Sequence, residues 1–295
     1  MKIAVFDVGG TFIKYAISDQ EGHLTHKGKV ATPDTKAGFQ TCIQSCIQDM
    51  GVIEGYSFSL PGFVDSEQGY ISLGGSLRYH DNCRFVQEME NLLQLPVIIQ
   101  NDAKCAALSE IWKGNAGNYH NAMVLVFGTG VGGAFIQDQQ VYLGSHFMSS
   151  ELSCIITGDI TKEGFQATLG NTFSIPNLMA RIAKRCGIAQ LSGQTAFQMA
   201  EEGNPIVLEE LTVFYRSFAV QLFNLQCCYD PDVFFIGGGI SEQPAFIQGL
   251  REAAKAFLAQ ISLPLPPIDI QSTTHKADAN LIGAVYQYKQ RRGLE

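Results

Sequence analysis

Lys2-Ile3-Ala4-Val5-Phe6-Asp7-Val8-Gly9-Gly10-Thr11 is the stretch that decides the fold. Residues 3–8 are apolar except for Asp7, the pattern of a buried strand. Two glycines end the run, and a second strand-like stretch, 12–18, follows at once. A Gly-Gly pair between two strands predicts a tight hairpin whose backbone can take positive φ. Bare glycine backbone also lets amide N–H groups approach a bound anion, and Thr11 and Lys14 add a hydroxyl and a positive charge. Asp7 at the end of a buried strand is costly unless paired, and hydrated Mg²⁺ is a natural partner. The plain alternative is an ordinary hairpin with Asp7 bonded to turn amides.

Outward from this stretch, the chain of 295 residues is long enough for two domains. It is 46% hydrophobic and 16% charged, a foldable composition. A net charge of -8 argues against a nucleic-acid surface. No apolar stretch is long enough to span a bilayer, and Met1 leads into the first strand without a signal-peptide pattern. A cytoplasmic protein with no membrane partner is expected. The eight cysteines form no C-x-x-C pair and no zinc-knuckle spacing, so they are expected to be reduced and mainly buried.

The second half begins as the first does. Residues 122–127 are an apolar strand, Gly128-Thr129-Gly130 a glycine turn, and 131–136 a strand leaving it. In each half three strands are followed by alternating helices and strands, with 205–229 the longest helix. A repeat on this scale predicts two like-folded halves, each a mixed sheet flanked by helices. The expected domains are 1–117, joined by a C-terminal helix 280–295, and 118–279. Ligands of such sheets bind beyond the strand ends, here in a cleft between the halves.

Four constellations carry chemistry. The two glycine turns, Gly9-Gly10-Thr11 and Gly128-Thr129-Gly130, would hold phosphates from two sides. The second is not a dinucleotide fingerprint, because Val131 onward reads as a strand and that motif must open a helix. Gly237-Gly238-Gly239-Ile240-Ser241 leaves a buried strand; its bare backbone at Gly238 and Gly239 lets a ring or ribose lie against the chain, and Ser241 can cap the helix near Pro244. Asn101-Asp102 sits between a strand and a helix. Either side chain can be a simple N-cap, yet a carboxylate there can also take a proton from a hydroxyl, and Asn101 can hold neighbouring hydroxyls. Glu151 is a third candidate sugar contact.

These motifs together resemble the sugar-kinase branch of the ROK (repressor, open reading frame, kinase) family. The matching residues are Asp7-Val8-Gly9-Gly10-Thr11, Pro61-Gly62-Phe63-Val64-Asp65, Asn101-Asp102-Ala103 with Glu110, Gly128 to Gly133, Asp230-Pro231-Asp232 with Gly237 to Ser241, and Leu281-Ile282-Gly283-Ala284. The resemblance implies an α/β, two-domain actin-like ATPase (ribonuclease H-like) fold. It further implies an ATP- and Mg²⁺-dependent kinase acting on the 6-hydroxyl of a hexose-type sugar: glucose, N-acetylmannosamine or a β-glucoside. In that reading Asp102 is the general base, Asn101, Glu151 and Gly62 touch the sugar, Mg²⁺ sits near Asp7 through water, and the glycine turns surround ATP. The competing reading is a sugar-sensing transcriptional regulator, since the family includes repressors; that needs a DNA-binding domain ahead of the first strand. Dimers are common in the family, and the apolar side chains of 205–229 suit either a homodimer interface or a core.

Two departures bear on the substrate. The family commonly has Glu-x-Gly-His here and then a cysteine-rich zinc loop. This chain reads Glu151-Leu152-Ser153-Cys154, and 155–171 contains no Cys or His. Structural zinc is therefore not expected. A second sugar-binding Glu has no counterpart near Leu169-Gly170, which leaves the anomeric end of the sugar with fewer polar contacts.

Overall fold

The computed structural model describes residues 1–294 and divides into two compact units. The first comprises 1–114, 140–149 and 278–294; the second comprises 115–139 and 150–277. Residues 140–149, read from the sequence as part of the second half, pack with the first unit.

In the first unit, β1 (Lys2–Val8), β2 (Phe12–Asp19) and β3 (Leu24–Ala31) form an antiparallel meander. Helix α1 (Lys36–Ile47) then leads to β4 (Tyr56–Leu60), parallel to β1. A hairpin of β5 (Phe63–Asp65) and β6 (Tyr70–Leu73) follows. Helix α2 (Phe85–Leu93) leads to β7 (Val97–Asn101), parallel to β4, and α3 (Asp102–Lys113) leaves it directly. The sheet order is β3-β2-β1-β4-β7.

Each face of this sheet is covered. Phe6, Phe58, Phe39 and Phe85 form one core beneath α1 and α2. On the other face Ile3 and Val5 meet Cys105 of α3 and Leu281, Ala284 and Val285 of α10 (Ala279–Arg292). The two helices approach so closely at Gly283 that a Cβ there would overlap the Cys105 carbonyl, 1.8 Å away. That contact accounts for the glycine in Leu281-Ile282-Gly283-Ala284 and brings Asn280 to the end of β1.

The second unit repeats the plan. Strands β8 (Asn121–Phe127) and β9 (Val131–Gln137) are antiparallel, while β11 (Val233–Gly237) and β12 (Ile270–Ser272) run parallel to β8, in the order β9-β8-β11-β12. The short β10 (Gln140–Val141) belongs to the first unit. Two short helices, α4 (Ile160–Glu163) and α5 (Leu169–Thr172), lie in the stretch that lacks Cys and His. Helices α6 (Ile175–Cys186), α7 (Gly193–Glu201), α8 (Pro205–Tyr229) and α9 (Pro244–Leu258) enclose an aromatic core of Phe127, Phe173, Phe214, Phe218 and Phe246. Asn204 caps α8 by accepting from the N–H groups of Ile206 and Val207, and Pro205 occupies the first turn, where its missing N–H costs nothing. The buried side of α8 runs through Val207, Leu211, Phe214, Phe218 and Leu222, so one apolar face of the helix is core, while Leu208 and Val213 are exposed.

Several expectations need correction. Gly9 and Gly10 do not take positive φ; their bareness is steric. A Cβ on Gly10 would sit 2.7 Å from the Ser76 hydroxyl, and one on Gly9 3.2 Å from the Phe12 carbonyl. Ser241 does not cap α9: its hydroxyl donates to the Gly238 carbonyl, and Gln243 holds the cap position without a side-chain bond. Of the cysteines only Cys83 and Cys105 are buried, and Cys154, Cys227 and Cys228 are exposed; all eight are free thiols. Among the described residues no helix is long and apolar enough to cross a membrane.

Candidate active site

Sheet register explains the surroundings of Asp7. It faces Lys14 across the antiparallel β1–β2 pair and Ser59 across the parallel β1–β4 pair. Its carboxylate accepts from Lys14 Nζ at 3.3 Å, from Ser59 Oγ at 3.2 Å and from Asn280 Nδ2 at 2.9 Å. Side chains, not turn amides, therefore hold Asp7. Lys14, suggested by the sequence as a phosphate contact, is engaged with Asp7 here.

Asn101 ends β7 and Asp102 starts α3, so the strand-to-helix junction presents both. Asn101 is the N-cap: its Oδ1 accepts from the Lys104 N–H at 3.1 Å. Its Nδ2 donates to the Gly62 carbonyl at 3.0 Å. Gly62 has φ +92°, and a Cβ there would lie 2.0 Å from the Leu73 carbonyl, so only glycine fits. Capping and ligand binding are compatible, because each amide atom retains capacity for a second bond.

Asp102 Oδ1 accepts from the N–H of Ala103 at 2.8 Å. Part of the residue reaches solvent, but protein crowds the carboxyl. Burial pushes its pKa up to about 6, and the negative charge of Asp7 adds to the rise, against the Ala103 N–H and the Lys104 cation. An acid-base group tuned to this range is suited to accept a proton near neutral pH.

In the second unit the turn Gly128-Thr129-Gly130 joins β8 to β9. Ser153 holds it: the hydroxyl accepts from the Val131 N–H and donates to the Val131 carbonyl, both at 3.1 Å. A Cβ on Gly130 would lie 2.7 Å from that hydroxyl, and Leu152 presses equally on Gly133. Two glycines of the cluster thus make room for the segment that follows Glu151. Glu151 itself is half-buried and precedes a short 3-10 turn, where its charge adds to burial in raising the pKa of the Cys154 thiol. Gly238, at φ +86°, packs on the Phe127 carbonyl and so lies beside the same turn.

The oxygen donors fit a divalent cation. The negative charge of Asp7 raises the cost of ionising Asp102, and a hard cation near them would relieve it. Gly128 and Gly239 leave room for a phosphate or ribose: a Cβ on either would meet no atom of the described residues within 4 Å, although the Gly128 N–H donates to the Gly130 carbonyl and its carbonyl accepts from the Ile175 N–H. Ser59, Asn280, Lys104 and Ser153 were missed from the sequence. Only Ser153 carried a signal, as the replacement of a glycine in the motif after Glu151.

A model of the ROK family matches residues 3–291. The beta-glucoside kinase of Klebsiella pneumoniae is 30% identical over 297 residues, covering 98% of this chain and 97% of that protein. A ROK family protein from Streptococcus pneumoniae, solved in complex with sucrose, superposes with a TM-score of 0.85 at 30% identity, covering 99% of each chain. A ROK family glucokinase from Streptomyces griseus, solved with glucose and AMPPNP, shares the fold: TM-score 0.85, 22% identity, 97% of this chain and 98% of that one.

Proposed function

The chain belongs to the ROK family, and on that premise we propose that it is an ATP-dependent sugar kinase whose acceptor is the 6-hydroxyl of a glucoside. The observation that carries this reading is Asp102, a carboxyl with its pKa near 6 at the mouth of a strand-to-helix junction, beside Asn101. Relatives named beta-glucoside kinase support the substrate class.

Asp102 accepts the proton of the 6-hydroxyl as its oxygen bonds to the γ-phosphorus of ATP and the bond to the β-γ bridging oxygen breaks, releasing ADP. Asn101 orients the acceptor with the lone pair and N–H that its cap leaves over. Glu151 holds further hydroxyls. Gly10, Thr11, Thr129 and Gly130 offer amides and hydroxyls to the phosphates, Gly9 and Gly128, whose own amides bond to the Phe12 and Gly130 carbonyls, leave room for their approach, and Gly238 and Gly239 lie against the nucleoside. Lys14 would hold Asp7 in place. Mg²⁺, held through water by Asp7, would neutralise phosphate charge. Transfer of a phosphoryl group is mostly positioning and charge stabilisation, so these groups suffice.

The test is sugar-dependent ADP release from Mg-ATP, measured for wild type and Asp102→Asn. The variant should bind both substrates but turn over about 10²- to 10⁴-fold more slowly. Near-normal kcat in a folded Asp102→Asn protein would remove Asp102 from the role of base.

A further inference from the structure

Lys104 lies in the first turn of α3 and is completely buried. Two effects count against a cation there. An ammonium taken from water is costly unless partners replace its hydration, and the N-terminal turn of a helix carries partial positive charge. An apolar side chain would fill the space without either cost.

Among its contacts are one to a neighbouring strap and one toward the proposed base. Lys104 Nζ donates to the Phe147 carbonyl at 3.0 Å, and its charge acts on Asp102, two residues earlier in the same turn. Phe147 is itself unusual, with φ +58°, a left-handed conformation that a bulky side chain ordinarily avoids. The strap closes through the Ser149 N–H and the Leu143 carbonyl at 3.2 Å and turns at Gly144, φ +73°. It exposes Tyr142 and Met148. A buried cation thus meets the carbonyl of a residue held in a left-handed conformation.

We propose that Lys104 is a positioning residue, fastening the 140–149 strap to the turn of α3 that carries Asp102 and so fixing the wall of the acceptor site beside the base. This rests on the reading of Asp102 as the base for the acceptor hydroxyl. Loss of the cation would free the strap without touching the phosphate turns.

The test uses the whole chain with Lys104→Met, close in length but uncharged. Amide hydrogen exchange of 143–149, read without substrates, should quicken by about tenfold or more while the rest of the first unit keeps its protection. In steady state, KM for the sugar should rise about tenfold with KM for ATP unchanged. Exchange quickened throughout the unit, or reduced kcat at an unchanged sugar KM, would mean a merely structural role and overturn the proposal. Should Lys104→Met not fold, Lys104→Gln, a shorter neutral donor, is read the same way; strap exchange equal to wild type overturns it. The exchange result is independent of Asp102's role, whose failure would show instead as an active Asp102→Asn enzyme.

Discussion

Ser153 grips Val131 at both backbone atoms, accepting from its N–H and donating to its carbonyl at 3.1 Å each. A side chain two residues beyond Glu151 thereby fixes the turn Gly128-Thr129-Gly130. The candidate sugar carboxylate and a candidate phosphate turn share one tether, inside one unit.

Ser153→Ala should therefore lower stability by about 1–3 kcal/mol, the usual cost of leaving buried backbone groups unpaired, and raise KM for both ATP and sugar. Gly130→Ala should do similar harm, because its Cβ would lie 2.7 Å from the Ser153 hydroxyl. In a Ser153→Gly background that clash is absent, so the second substitution should add little. Urea unfolding and initial rates of the single and double variants measure this coupling. Fully additive losses would mean that the two residues do not act together.

The pH dependence of turnover tests the environment of Asp102. A carboxylate must be ionised to accept a proton, so activity falls as pH drops through its folded pKa. Burial and Asp7 move that value from the ordinary carboxylate range up to about 6. The acid limb of kcat/KM should thus bend near pH 6, and a limb near pH 4 would contradict the crowding described. The same shift carries a stability sign. A carboxyl raised on folding is bound to a proton more in the native state, so its ionisation costs stability above its unfolded pKa. Asp102→Asn should melt at or above the wild-type temperature at pH 8.

His80 is the opposite case. It is 2% exposed, edge-on to Phe39, Tyr79 and Phe85, and neither ring nitrogen has a hydrogen-bond partner among the described residues. Burial, helped by the Lys36 cation and opposed by Glu88, pulls its pKa down to about 4. The unfolded chain then binds the proton more readily between about pH 6.5 and 4, so stability present above pH 6.5 is lost as pH falls through that window. From pH 7.5 to 5 the loss should be about 2 kcal/mol. His80→Phe should flatten this slope in urea titrations, and an unchanged slope would assign it elsewhere.

What was legible in the sequence follows the range of the forces involved. Asp7 stood out because one charge interrupts an apolar strand, and the repeat stood out because both halves open on a strand, a glycine turn and a strand. The partners of Asp7 were not legible: Lys14 and Ser59 reach it only through strand register, and Asn280 only through the crossing of α10 over α3 at Gly283. The β5–β6 hairpin carries little sequence signal, because its strands are short and its turn depends on Asp65 accepting from the N–H groups of Glu67 and Gln68. Lys104 gave no signal at all, since a lysine in a helix ordinarily reads as solvent-facing.

Substrate choice at the anomeric end is the sharpest test of what this chain lacks. A pocket built to hydrogen-bond a hydroxyl rejects analogues without it by ~10⁴–10⁵, because its buried polar groups are left unpaired. After Glu151 this chain offers Ser153, whose hydroxyl is spent on Val131, and Cys154, an exposed thiol with a raised pKa. Neither supplies the donor or acceptor of an imidazole. Fewer polar groups at that end mean a smaller penalty for changing what the sugar carries at its first or second carbon. By kcat/KM, 1-O-substituted or 2-acetamido sugars should be accepted at least as well as free glucose. On the proposed reading Asn101, Asp102 and Glu151 hold the hydroxyls toward the reacting end, so a 6-deoxy sugar should bind without being phosphorylated. A panel of glucose, N-acetylmannosamine, N-acetylglucosamine and a β-glucoside disaccharide measures the order directly, and a strong preference for glucose over the other three would show that another residue of this chain contacts the anomeric hydroxyl.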